Sequence, residues 1–247
     1  MWVAPHLLIS RGDVGKYALL PGDPARARRI AEFLDGAELK SENREFVVYT
    51  GEYGGVTVTA ASTGIGGPSA AIAVEELARC GVEYFIRVGT CGAIKRGVKV
   101  GDLVLPYAAV RLDGVTRRYV LPEYPAVAHP EVFNALLNAS RALGIKPLVG
   151  IVASDDMFYV GIDELEYWSS MGVVAVEMEA STVMTIASIK GLRGGAILVV
   201  DGNIVEGTGK SSVGAHKGSE VGEVVKEAID VEIRVALEAV KILERGA

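Results

Sequence analysis

The run Val173-Val174-Ala175-Val176-Glu177-Met178-Glu179-Ala180 sets two carboxylates two residues apart in an otherwise apolar stretch, where a buried strand has no need of them. Period-two geometry puts Glu177 and Glu179 on one side of an extended segment, and the spacing over 181–187 predicts that a helix follows. The chain must therefore bring two acidic groups to a strand-to-helix junction. Buried charge without a partner is costly, so donors are required close by: protein arginines, or the hydroxyls of a ligand such as a vicinal diol. A purely structural solution stands beside this one, with one glutamate paired to an arginine and the other capping the helix.

What surrounds the junction follows from composition. Half of the 247 residues are hydrophobic but only 6% are aromatic, so Val, Ala, Leu and Ile must build the core, which suits parallel strands covered by helices. The length fits a single α/β domain over 1–247, and no low-complexity stretch marks a linker. A net charge of −6 with interspersed signs argues against a nucleic-acid surface, which needs clustered positive charge. Cys80 and Cys91 are too few for a disulfide framework and lack the spacing of a metal site, so both are expected to be reduced thiols. With no leader pattern and no long apolar run, the expectation is a soluble, cytoplasmic protein without membrane contact.

The order of segments predicts the architecture. A strand over 17–20 stops at Pro21-Gly22-Asp23-Pro24, and helical spacing follows over 25–34. Residues 45–53 and 56–60 alternate and meet at Gly54-Gly55, a hairpin signal. A glycine loop, Gly64-Ile65-Gly66-Gly67, leads into a helix over 70–80. Strands are expected at 84–88, 103–110, 147–153 and 195–200, and helices at 131–143, 163–170 and 221–243. The alternation predicts a mixed, mostly parallel central sheet flanked by helices on both faces, with ligands bound beyond the carboxyl ends of its strands.

Several residues stand out against that frame. The glycine loop has Ser69 where the third glycine of a dinucleotide-binding fingerprint would fall, so it reads as a tight turn that lines a pocket. Arg26 lies just inside a helix, Arg44 just before a strand and Arg87 within an apolar strand; arginine buries poorly unless an anion meets it. Three guanidinium groups with the Thr90 hydroxyl and glycine amides would hold a phosphate dianion, whereas the plainer alternative pairs Arg87 with Glu177 or Glu179 and leaves Arg26 and Arg44 solvated. Asp201 ends an apolar strand and precedes a glycine, a place for a working residue or for a turn aspartate. Phe158 and Tyr159 offer a flat surface for a base or ordinary core packing. For His6, near the N-terminus, the default is a surface position.

Taken together, these segments resemble the hexameric nucleoside phosphorylases over nearly the whole chain. The likeness runs through Pro21-Gly22-Asp23-Pro24 with Arg26, Asn43-Arg44-Glu45-Phe46, the loop from Ser62 to Ser69, Arg87-Val88-Gly89-Thr90-Cys91-Gly92-Ala93, Val110-Arg111-Leu112-Asp113-Gly114, Phe158-Tyr159 and Val176-Glu177-Met178-Glu179. The resemblance implies that Gly22, Arg26, Arg87 and Thr90 bind phosphate, with Arg44 entering from a neighbouring subunit. It places Glu179 and Met178 on the ribose, brings the partner's His6 to the ribose 5′ end, and sets Phe158 near the base, where Glu177 supports the base or holds nearby backbone. Asp201 falls where the purine enzymes carry the acid that protonates N7.

The implied chemistry is reversible phosphorolysis to free base and ribose 1-phosphate, with inorganic phosphate as co-substrate and no metal or other cofactor. The implied assembly is a homo-oligomer with shared sites, a hexamer built as a trimer of dimers. Base choice departs from the nearest pattern: Tyr159-Val160-Gly161-Ile162-Asp163-Glu164 offers neither the Gln nor the Arg with which the uridine enzymes read uracil, while Val199-Val200-Asp201-Gly202 resembles purine and dual-specificity members. Purine nucleosides are the expected substrates, with uridine the alternative. The basic partner of Asp201 is left among Lys210, His216 and Lys217. A nucleosidase of the same fold, or a binding oligomer without turnover, would have less use for three phosphate arginines or for Asp201.

Overall fold

The computed structural model describes residues 2–210, 214 and 220–246. In chain order the elements are β1 (Tyr17–Leu20), α1 (Pro24–Ala31), β2 (Asp35–Asn43), β3 (Phe46–Tyr53), β4 (Val56–Ala61), α2 (Gly67–Cys80), β5 (Tyr84–Ala93), β6 (Leu103–Arg111), α3 (Thr116–Tyr119), β7 (Ala126–Val127), α4 (Pro130–Ala142), β8 (Leu148–Ser154), α5 (Ile162–Ser170), β9 (Val173–Glu177), α6 (Ala180–Ile189), β10 (Arg193–Asn203) and α7 (Glu220–Arg245).

Local chemistry sets the ends of these elements. Pro24 opens α1, and the Asp23 carboxylate accepts from Ala25 N at 2.8 Å. Gly54 and Gly55 both have positive φ, 58° and 83°, as a two-residue hairpin turn requires. Helix α1 stops at Ala31, short of the expected 34, because the chain turns directly into β2. That strand was not expected: Asp35–Asn43 lies at the sheet edge, is polar and largely exposed, and shows no apolar alternation.

The strands form one mixed sheet in the order β10-β6-β8-β9-β5-β1-β4-β3-β2, and β10 also pairs with β5. The five strands β5, β10, β6, β8 and β9 therefore close on themselves. Pairs β4/β1, β1/β5, β5/β10, β6/β8 and β8/β9 are parallel; antiparallel pairs join β10 to β6, β7 to β6, β5 to β9, β2 to β3 and β3 to β4. Ile30 of α1, Leu136 of α4 and Leu237 of α7 pack into one apolar cluster with Tyr17, Ile86 and Ile197. Leu77 of α2 and Ile186 of α6 pack into a second cluster with Leu20 and Phe85. Because β1, β4, β5 and β10 run parallel, their carboxyl ends gather at one edge of the sheet, where the ligand cavity lies.

Candidate active site

A cavity of about 870 Å³ opens at that edge. Its lining includes Gly22 and Arg26 after β1, Gly64 and Ile65 after β4, Arg87 and Gly89 to Gly92 of β5, Phe158 and Tyr159 after β8, Glu177 to Glu179 at the β9–α6 junction, and Asp201 of β10 with Lys210. Gly22, Arg26, Arg87, Thr90, Phe158, Glu177, Met178, Glu179 and Asp201, all singled out from the sequence, thus meet in one hollow.

Arg87 organises the acidic junction. Its Nε donates to Glu177 Oε2 at 2.7 Å, and its Nη2 pairs with Glu179 Oε2. All three side chains are buried. Burial alone would lower the pKa of Arg87, but Glu179 and Glu177 outweigh it and hold the guanidinium firmly charged. Burial pushes the Glu179 carboxyl above its ordinary value, against the pull of Arg87. Position 89 must be glycine for this arrangement, since a Cβ there would lie 2.8 Å from Arg87 Cζ.

The two glutamates divide the work. Both oxygens of Glu177 are engaged within the protein: Oε2 also accepts from Glu179 N at 2.8 Å, and Oε1 accepts from Ala180 N at 3.0 Å and from the Ser154 hydroxyl. Of the two roles expected for Glu177, holding backbone is seen at the start of α6, while the residue also lines the cavity. Glu179 stands at the N-cap position of α6 without a capping hydrogen bond from its side chain; its Oε1 accepts instead from Gly66 N at 2.6 Å, so the glycine loop serves as a donor to the acidic pair. The plainer structural solution gave one glutamate to an arginine and the other to the helix; instead both pair with Arg87, and Glu177 also meets the first amide of α6.

Asp201 lies within β10, where the register against β5 shifts between Val200 and Gly202. Asp201, expected to end the strand, is followed by two more residues of it: β10 runs on to Asn203 through a bulge, and bulges re-aim side chains. Lys210 Nζ, one of the basic candidates, lies 2.6 Å from Asp201 Oδ2; His216 and Lys217 lie outside the described residues.

Arg44 and His6 do not line this cavity. Arg44 is exposed in the turn between β2 and β3, with φ of 55°. His6 Nδ1 is 2.7 Å from Glu76 Oε1 beside a separate hollow of about 400 Å³, and the His6 carbonyl accepts from Asn43 Nδ2 at 2.8 Å. The two residues thus share one face of the chain.

Sequence reasoning did not single out Ser154, Gly66 as a donor, or the apolar wall of Val160, Leu165 and Ile204. Ser154 carried a signal as a hydroxyl directly after an apolar run. Cys80 and Cys91 are free and buried, and burial, then Asp201 and Glu177, push the Cys91 thiol well up. Among the described residues no helix is long and apolar enough to cross a membrane.

The family model of the phosphorylase superfamily matches residues 16–241. A guanosine phosphorylase of Halorubrum lacusprofundi is 45% identical over 97% of this chain and 98% of its own length. A uridine phosphorylase of Thermococcus kodakarensis is 43% identical over 96% of this chain and 86% of its own. Among solved structures, the purine nucleoside phosphorylase of Toxoplasma gondii in complex with immucillin-H superposes with a TM-score of 0.90 and 33% identity, covering 100% of this chain and 98% of that one. Cavity and comparisons agree, and the chain belongs to the phosphorylase superfamily, as a nucleoside phosphorylase and hence a pentosyltransferase.

Proposed function

We propose that the protein catalyses reversible phosphorolysis with purine nucleosides as its favoured substrates. The observation that carries the purine reading is the Asp201–Lys210 pair, set by the β10 bulge into the cavity that holds Arg87 and Glu179.

Phosphate sits among Gly22, Arg26, Arg87 and Thr90, with its charge met by guanidinium groups whose geometry suits its oxygens. Glu179 takes the ribose hydroxyls beside Met178, and the base lies along Phe158 toward Asp201. Phosphate attacks C1′ as the bond to the base breaks, and the sugar gains oxocarbenium character. Orientation of the nucleophile and fixed charges around the sugar lower that barrier. A purine leaves more readily once N7 is protonated; Asp201 delivers that proton and Lys210 replenishes it. Recognition of uracil needs paired donors and acceptors at the base, yet residues 155–165 bring no amide or guanidinium side chain to the cavity lining.

Because Arg44 and His6 lie outside the cavity of their own chain, the reading includes a homo-oligomer in which each site borrows them from a neighbour, in a hexamer built as a trimer of dimers. A second reading, uridine as principal or additional substrate, draws on the Thermococcus kodakarensis relative.

The test incubates the purified protein with inosine, guanosine, adenosine, methylthioadenosine and uridine, with and without phosphate, and measures released base. Phosphate-dependent release from purine nucleosides is expected. Rapid uridine turnover beside inert purines would overturn the base assignment, and release without phosphate would point to a nucleosidase.

A further inference from the structure

The C-terminal helix carries a group that the reaction as described does not use. Glu232 of α7 is fully buried, and neither oxygen of its carboxyl group has a hydrogen-bond partner. An orphaned buried carboxyl calls for a physical reason. The charges that act on it are Arg26 of α1 and Arg87 of β5, the two guanidinium groups of the cavity, and the Gly89 N–H faces it from β5. Arg87 has an orphan of its own: Nη1 is buried without a partner, while Nε and Nη2 are held by Glu177 and Glu179. The Cys91 thiol on β5 feels Glu232 as well as Asp201 and Glu177.

We propose that Glu232 is a positioning residue of the anion site: in its neutral acid form it packs behind Arg26 and Arg87 and leaves their charge to the bound phosphate, and in its ionised form it competes with phosphate for them. The proposal rests on the phosphate site assigned above. Burial pushes the Glu232 carboxyl up to about 8, with Arg26 and then Arg87 acting against the rise. The neutral form therefore prevails near pH 7, and the ionised form takes over under mildly alkaline conditions. One added negative charge beside the two arginines weakens binding of a dianion by at least about tenfold at the effective dielectric of such sites. By linkage, anion binding in turn draws a proton onto Glu232.

Sulfate is the suitable probe because its charge stays constant across the range, whereas phosphate itself titrates near neutrality. Inhibition of phosphorolysis by sulfate, competitive with phosphate, is measured from pH 6.5 to 9.5 in the wild type, Glu232→Gln and Glu232→Asp. In the wild type the inhibition constant should rise at least about tenfold as pH passes through 8. In Glu232→Gln that rise should shrink to less than about twofold, and Glu232→Asp should restore it; a purely structural role would shift the constants without removing their pH dependence. A flat wild-type profile, or the full rise retained in folded Glu232→Gln, overturns the proposal, and the wild-type profile stands as a test even if a variant fails to fold. Phosphate-independent turnover with no sulfate inhibition at any pH would instead remove the anion site itself.

Discussion

Lys210 Nζ lies 2.6 Å from Asp201 Oδ2, and the pair occupies the point where β10 slips its register against β5. An ammonium in contact with a carboxyl group can return the proton that the carboxyl gives up, and the single negative charge then left on the pair is balanced by the proton on the base. If that proton goes to purine N7, Asp201→Asn should lower kcat for inosine by roughly 10²- to 10³-fold with little change in KM, the usual range for loss of a general acid. Lys210→Met should fall in between, at about tenfold. Uridine, which has no N7, should lose much less in both variants. Steady-state kinetics on the two nucleosides checks this, and full inosine activity in Asp201→Asn would remove the acid from the mechanism.

Arg87 joins both carboxylates of the β9–α6 junction, so its loss should be felt in stability as well as in catalysis. Arg87→Met strands Glu177 and Glu179 without their shared cation, and breaking a buried ion pair from one side costs about 3–5 kcal/mol. Gly89→Ala approaches the same group from the backbone: the new Cβ would press on a guanidinium held at Nε and Nη2 and unable to swing aside. Overpacking of this kind costs about 1–3 kcal/mol. Urea titrations should rank the proteins wild type, Gly89→Ala, Arg87→Met in falling stability, and phosphate KM should rise in the same order. An Arg87→Met protein as stable as wild type would mean that the two carboxylates are neutral in the fold.

Much of this geometry was legible because charged residues inside apolar strands are too costly to be accidental: Arg87, Glu177 and Asp201 each announced themselves that way. The helices and central strands were legible for the same reason, since their apolar periodicity is what buries them. Strand β2 was not, because an edge strand with polar residues on both sides leaves no alternation to read. The bulge at Asp201 was hidden as well, because register is a property of the pairing with β5 rather than of β10 alone. Nor could spacing choose between Lys210, His216 and Lys217, since only the folded return of the chain brings one of them to Asp201. Glu232 escaped notice for a different reason. A glutamate in an amphipathic helix reads as solvated until the packing shows which face it is on.

The separation of Arg44 and His6 from their own cavity makes a prediction about mixtures. If one subunit lends these residues to its neighbour, Arg44→Ala and Asp201→Asn impair different halves of a composite site. Subunits denatured together and refolded as random dimers should regain about a quarter of wild-type activity, since half of the dimers are mixed and each mixed dimer has one intact site. Separately refolded controls should stay near their own low levels. Recovery no greater than the mean of the two parents would place Arg44 outside the working site.

The buried carboxyl of Glu232 also bears on alkaline stability, with a definite sign. The unfolded chain releases this proton near the ordinary value of 4.5, while the folded protein keeps it until about 8. Between those values the folded state binds more protons than the unfolded state, so the contribution of Glu232 is fully present below 4.5 and is lost as pH rises to about 8. Glutamine at this position has no proton to lose. Thermal unfolding of wild type and Glu232→Gln across this range should therefore show the variant gaining on the wild type steadily as pH rises, and the advantage should level off above pH 8. A difference that stayed constant with pH would mean that Glu232 has the same charge folded and unfolded, and the burial seen in α7 would then need a compensating cation much closer than Arg26 or Arg87.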